Sequence, residues 1–68
     1  MSKPKAFLGI NADTMKCSMV ADYSAESIAE AEECDLIIVP CTIEAAQKHF
    51  NSVVTGDMLA DAVRGAFQ

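Results

Sequence analysis

The sequence is poor in basic residues, tryptophan, histidine and glycine, and its composition argues against several classes of protein. It has no tryptophan, one histidine and three isolated glycines, so it offers no glycine-rich phosphate loop. Its longest aliphatic block, residues 36–39, is far shorter than the roughly 18–20 residues of a membrane span. Direct binding to nucleic-acid phosphates is also disfavoured, because the bases are scattered: Lys3, Lys5, Lys16, Lys48 and Arg64.

The 68 residues have room for a single domain, 1–68, which we expect to lie in the cytoplasm because residues 6–10 are too short for a signal-peptide core. Hydrophobic residues make up 51% of the chain, which predicts folding despite a net charge of −5. The odd number of cysteines predicts reduced thiols rather than a disulfide framework. A second copy or a larger partner is then the remaining common route to further burial.

Local patterns predict two strands, a helix and a third strand. Residues 6–10 form the first strand, and the alternation from Met15 to Asp22 predicts a second strand paired with it as a hairpin, with Met15, Cys17, Met19 and Ala21 on its apolar face. Ser24 caps a helix that runs to about Glu33. Residues 36–39 form a strand that ends at Pro40 or lies at a sheet edge.

Two further helices complete the chain. Thr42 caps the first, whose Ile43, Ala46, Phe50 and Val53 should face the sheet. Gly56 ends it and Asp57 caps the last helix, which carries an apolar stripe: Met58, Leu59, Ala62, Val63, Ala66 and Phe67. A right-handed connection then predicts an α+β fold of order β-β-α-β-α-α, with a three-stranded sheet in the order 2-1-3 and helices on one face. The other face is either solvated or a contact surface.

Cys41 is the residue best placed for chemistry, because a thiol at a helix N-terminus gains thiolate character. Residues 35–42 resemble the strand–Cys–Thr turn of aspartate/glutamate racemase-type enzymes, which implies a catalytic thiol but also a second domain with a second cysteine. The alternative is a small apolar residue at a strand end. Cys17, Cys34, Cys41 and His49 lack the close pairs typical of zinc sites. We expect no enzyme, no metal and no cofactor.

Charge distribution is the more informative feature. Seven acids and no Lys or Arg lie between Cys17 and Gln47: Asp22, Glu26, Glu30, Glu32, Glu33, Asp35 and Glu44. Glu26, Glu30 and Glu33 recur at i, i+4 and i+7, so they share one helix face. This face is either a solvated surface or a docking surface for a basic partner. The candidate partner-binding residues are Asp22, Glu26, Glu30, Glu33 and Asp35.

The segments 22–31 and 39–46 are similar to small phage and prophage β-β-α-β proteins. That resemblance implies a phage-encoded inhibitor of a host nucleic-acid-handling complex, in the manner of anti-CRISPR proteins. The leading hypothesis is therefore a non-enzymatic, acidic binding protein. The alternatives are a homo-oligomer, possible as a homodimer, that pairs through its sheet face or through Met58, Leu59, Val63 and Phe67, and a thiol enzyme or redox protein that uses Cys41.

Overall fold

The computed structural model describes residues 4–67. Its six segments of regular structure follow the expected order, with these bounds: β1 (Ala6–Ile10), β2 (Cys17–Asp22), α1 (Ala25–Glu33), β3 (Ile37–Cys41), α2 (Ile43–His49) and α3 (Gly56–Ala66). β1 is the central strand and pairs antiparallel with both neighbours, giving the order β2-β1-β3. The α+β class and the strand order are confirmed.

The central strand is buried on both faces, because Phe7 and Leu8 point in opposite directions and both are 0% exposed. The Leu8 face forms the main core with Ala46 of α2 and Ala62 of α3. The Phe7 face meets Tyr23, which precedes α1, in an edge-to-face ring contact with centroids 6.4 Å apart. α1 therefore lies over the Phe7 face. The prediction that the helices cover a single face of the sheet is therefore wrong: α2 and α3 cover the Leu8 face, and α1 covers the Phe7 face.

A β-bulge in β2 changes which of its side chains share a face. Gly9 pairs with Met19 but Ile10 pairs with Cys17, so Ser18 is the extra residue. Cys17 consequently joins the main core, whereas Met19 lies opposite Gly9 on the Phe7 face. The prediction of one apolar face along β2 is wrong for this reason, and the strand begins at Cys17 rather than Met15.

α2 is shorter than its apolar periodicity predicts. It ends at His49, and the chain turns at Asn51, whose φ of 64° lies in the left-handed region. Residues 51–54 then pair antiparallel with residues 15–17, because Asn51 N–H donates to Cys17 O and Cys17 N–H donates to Ser52 O. Of the four residues expected to face the sheet, only one, Ala46, is buried. The other three are at least half exposed: Ile43 (52%), Phe50 (51%) and Val53 (64%).

Helix caps agree with the sequence at two of three sites. Ser24 and Thr42 accept hydrogen bonds from the Ser27 and Ala45 amides, as expected. α3, however, is capped by Thr55, and Gly56 is its first helical residue rather than a terminator. Its buried residues are Ala62 and Ala66. Pro40 lies within β3, which is an edge strand, so its missing N–H need not break the sheet.

Candidate functional site: an acidic row along α1

α1 turns three carboxylates away from the sheet. Ala31 is buried and Ile28 half-buried, and these two residues define the side of the helix that packs on the sheet. Glu26, Glu30 and Glu33 lie on the other side, and all three are exposed. Their spacing places successive carboxylates about 4.5–6 Å apart along the helix axis. The helix therefore presents a compact set of negative charges to solvent.

Asp22 is held at the beginning of this helix by two serines. Ser27 Oγ donates to Asp22 Oδ1 at 3.1 Å, and Ser24 Oγ donates to Ser27 Oγ at 3.1 Å. Hydrogen bonding from Ser24 and Ser27 lowers the pKa of the exposed Asp22 carboxyl, because it stabilises the charged form. The carboxylate therefore lies beside Ser27 in the first turn of α1.

Asp35 closes the other end of α1 in a strained position. Its φ of 58° is left-handed, a conformation that favours glycine or asparagine. The Asp35 amide donates to Glu32 O and the Leu36 amide to Ala31 O, which is the Schellman arrangement that ends many helices. Because carbonyl groups point out of this end of the helix, the carboxylate also meets unfavourable partial charge.

Together these residues form what we call the acidic row: Asp22, Glu26, Glu30, Glu33 and Asp35. Three of the five share the outward face of α1, and the other two flank its ends. Within residues 4–67 the one ion pair joins Arg64 to Asp61 at 3.4 Å, on the exposed surface of α3. The row is thus not neutralised by an ion pair within the part of the chain that the structure describes.

The cysteines have different environments. Cys34 is exposed, whereas Cys17 and Cys41 are buried, each 0% exposed. Burial raises the pKa of Cys41 to about 11, and it raises the pKa of Cys17 as well. A reactive thiol needs accessibility and a lowered pKa, so the structure gives Cys41 the opposite properties. Over the described ranges, 4–67, no three or more His, Cys, Asp or Glu side chains are grouped as metal ligands.

An apolar groove between β2 and α2 was not foreseen from the sequence. It has a volume of about 230 Å³ and is lined mainly by small and aliphatic side chains, together with the charged Lys5 and Asp22. The lining side chains include Val20 of β2 and Ile43, Ala46 and Gln47 of α2. The signal available in the sequence was the apolar periodicity of α2, of which Ile43 lines the groove instead of joining the core.

Comparisons with family models, with characterised proteins and with solved structures gave no significant match. Among residues 4–67, no helix is long and apolar enough to cross a membrane.

Proposed function

We propose that this protein is a non-enzymatic binding module that docks onto a basic partner through the acidic row. The observation that carries the proposal is the exposure of Glu26, Glu30 and Glu33 side by side on the outward face of α1, with no ion pair to them from residues 4–67. Like charges at this spacing destabilise an isolated helix by a few tenths of a kcal/mol per pair. Clustering therefore has a cost that an even distribution of the same acids would avoid.

The partner is a protein surface that normally holds nucleic acid. About one charge for every 5 Å of α1 gives a linear charge density of the same order as a nucleic-acid strand, which carries one phosphate for every 3.4 Å of helix rise. A basic cleft built for phosphates would attract such a surface from a distance and accelerate association. The resemblance to small phage proteins adds that the module would inhibit a host nucleic-acid-handling complex in the host cytoplasm.

The test compares two variants of equal charge. Glu26→Gln/Glu30→Gln/Glu33→Gln removes three charges from the row, and Asp13→Asn/Glu44→Gln/Asp61→Asn removes three exposed charges elsewhere. Both variants and the wild type are immobilised and used to capture nucleic-acid-handling proteins from host lysate at low and high salt. The proposal expects the wild type and the second variant to retain the same proteins at low salt, and the first variant to lose them.

Equal capture by both variants would contradict the proposal, because the position of the charges would then not matter. Circular dichroism and thermal unfolding of each variant establish that the fold is intact before capture. Removal of like charges from α1 should leave its stability unchanged or slightly higher.

A further inference from the structure

The outer edge of β2 is open over most of its length. β2 is an end strand, and within residues 4–67 only the segment 51–54 pairs with its outer side, at residues 15–17. The pairing stops at Cys17, so the stretch from Ser18 to Asp22 has no neighbouring strand among the described residues. Five residues span about 17 Å of strand.

The backbone of Val20 faces this open edge. Tyr23 N–H donates to Lys5 O at 3.1 Å, so Lys5 and Tyr23 form a hydrogen-bonded pair of the β1–β2 ladder. Hydrogen-bonded and non-hydrogen-bonded pairs alternate along an antiparallel ladder, so Leu8–Val20 is a non-hydrogen-bonded pair. The N–H and C=O of Val20 consequently point away from β1. Such an edge pairs readily with another strand.

α2 leaves apolar side chains over the same edge. Ile43 is the first residue of α2, and Phe50, seven residues later, caps its C-terminal end; their side chains are 52% and 51% exposed. Ile43 lines the groove beside Val20, and Gln47 lies between the two apolar residues. The charged Glu44 and Lys48 are on the side of α2 away from Ala46. We call the resulting uncharged surface the edge strip: Val20, Ile43, Gln47 and Phe50.

We propose that a second copy of the chain occupies the edge strip, forming a two-fold symmetric dimer. In this dimer the open stretches of the two β2 strands pair antiparallel about Val20, making one six-stranded sheet, and the two α2 helices pack across the axis. Ile43 of one copy then meets Phe50 of the other, and each copy makes the same contacts, as a two-fold interface requires. Of the acidic row only Asp22 lies along the paired strands, whereas Glu26, Glu30 and Glu33 belong to α1, on the opposite face of the sheet from α2.

Three features select a second copy as the occupant. The open stretch is bounded by Ser52 at one end and by the turn into α1 at the other, so it fits a strand of its own length. Pairing about Val20 places Asp22 opposite Ser18, which avoids contact between like charges. The four residues of the edge strip are uncharged, and the two charged residues that line the adjoining groove, Lys5 and Asp22, have opposite signs, so two chains of net charge −5 would meet through a locally neutral surface.

The distance between the two α2 helices in this dimer can be estimated from strand spacing. α2 contacts both β1 and β2, and an axis midway between these two strands would lie about half a strand spacing inside β2. A two-fold axis half a strand spacing outside β2 then separates the two α2 axes by about 10 Å. Packed helices are ordinarily 8–10 Å apart. The side chains available to fill this space are the exposed Ile43 and Phe50.

The experiment measures solution mass over a wide concentration range by sedimentation and light scattering. The wild type should reach twice the chain mass of 7.3 kDa. Ile43→Lys and Phe50→Lys should each weaken the dimer by about a hundredfold, because the symmetry counts every substitution twice. Phe67→Lys is the matched control: Phe67 is equally exposed, at 57%, but lies outside the strip, so this variant should remain dimeric.

Hydrogen exchange of the Val20 amide supplies a readout that needs no substitution. Protection of this amide should rise with wild-type concentration and fall in Ile43→Lys. A wild type that is monomeric throughout, a dimer unaffected by both strip variants, or Val20 exchange independent of concentration would each overturn the proposal. The effect of salt distinguishes the dimer contact from docking through the acidic row. Added salt should strengthen dimerisation of like-charged chains and weaken docking to a basic partner.

Discussion

Ser27 and Asp22 join the end of β2 to the first turn of α1. The Ser27 hydroxyl donates to Asp22 Oδ1 at 3.1 Å, while its amide donates to the capping Ser24. One serine therefore helps both to begin the helix and to orient the first carboxylate of the acidic row. The bond also couples the charge of Asp22 to the local fold.

Ser27→Ala should raise the pKa of Asp22 toward its ordinary value of 3.8, because it removes a hydrogen bond to the charged form. A lowered pKa means that this contribution to stability is present above pH 3.8 and is lost as the pH falls through the folded value. NMR titration of the Asp22 carboxyl measures the shift. Ser18→Ala changes an exposed serine of β2, the strand that contains Asp22, and should leave the Asp22 pKa unchanged. An unchanged Asp22 pKa in Ser27→Ala would refute the coupling between Ser27 and Asp22.

Asp35→Gly should stabilise the protein by about 0.5–1 kcal/mol, since glycine accepts the left-handed φ without strain and the carboxylate leaves the negative end of α1. In a domain of this size that gain raises Tm by roughly 2–8 °C. Asp35→Asn removes the charge but keeps a side chain, so it should give a smaller gain. Thermal unfolding ranks the stability of the wild type, Asp35→Asn and Asp35→Gly. If Asp35→Gly is no more stable than the wild type, the left-handed φ and the carboxylate of Asp35 do not destabilise the end of α1.

Gly9→Ala should destabilise the protein by about 1–3 kcal/mol through overpacking. A Cβ at Gly9 would lie 2.9 Å from Leu36 Cδ1 and 3.2 Å from Met19 Cβ. Adding Leu36→Ala should recover part of the loss relative to Leu36→Ala alone, which a double-mutant cycle measures as coupling. Gly56→Ala is the control, because its added Cβ would have no atom within 4 Å apart from its chain neighbours and the backbone of its own helix. Equal effects at both glycines would rule out the close approach of Leu36 to β1.

Thiol reactivity tests the burial pattern. In the native protein Cys34 should react rapidly with a thiol reagent, while Cys17 and Cys41 react only at the rate of unfolding or local opening. Mass spectrometry after limited labelling identifies the modified residues. Rapid native modification of Cys41 would contradict its placement in the core and would restore the thiol-enzyme hypothesis.

Alkaline pH should also weaken the fold. The pKa of Cys41 is raised from 9.0 to about 11, so its neutral form contributes stability fully below about pH 9, and this is lost as the pH rises through about 11. The excess stability of the wild type over Cys41→Ala should therefore shrink over that interval. Chemical denaturation at several pH values measures it, and a constant difference would contradict the cause assigned to the raised pKa.

Local signals were enough to predict much of the fold. Ser24 and Thr42 are good capping residues placed just before helical patterns, and the strand at residues 6–10 is short, apolar and followed by turn-forming residues. Short connections and right-handed crossover then restrict the strand order. The exposure of Glu26, Glu30 and Glu33 on one face follows from helical spacing alone.

Backbone pairing between segments distant in the sequence accounts for the parts of the fold that were predicted wrongly. The apolar periodicity of α2 continues through Phe50 and Val53. Backbone hydrogen bonds between this segment and Cys17, beginning at Asn51, favour an extended conformation of residues 51–54 over a longer helix. Asn51 and the β-branched residues after it carried a weak signal for this turn. The bulge at Ser18 and the groove beside Val20 depend on register, which no local pattern specifies.

Association kinetics at several ionic strengths test the acidic row most directly. With a captured basic partner, the association rate of the wild type and of Asp13→Asn/Glu44→Gln/Asp61→Asn should fall steeply as salt increases. Glu26→Gln/Glu30→Gln/Glu33→Gln should associate slowly at low salt and show a much weaker salt dependence. If this variant keeps the wild-type rate and salt dependence, the row on α1 is only a solvated surface.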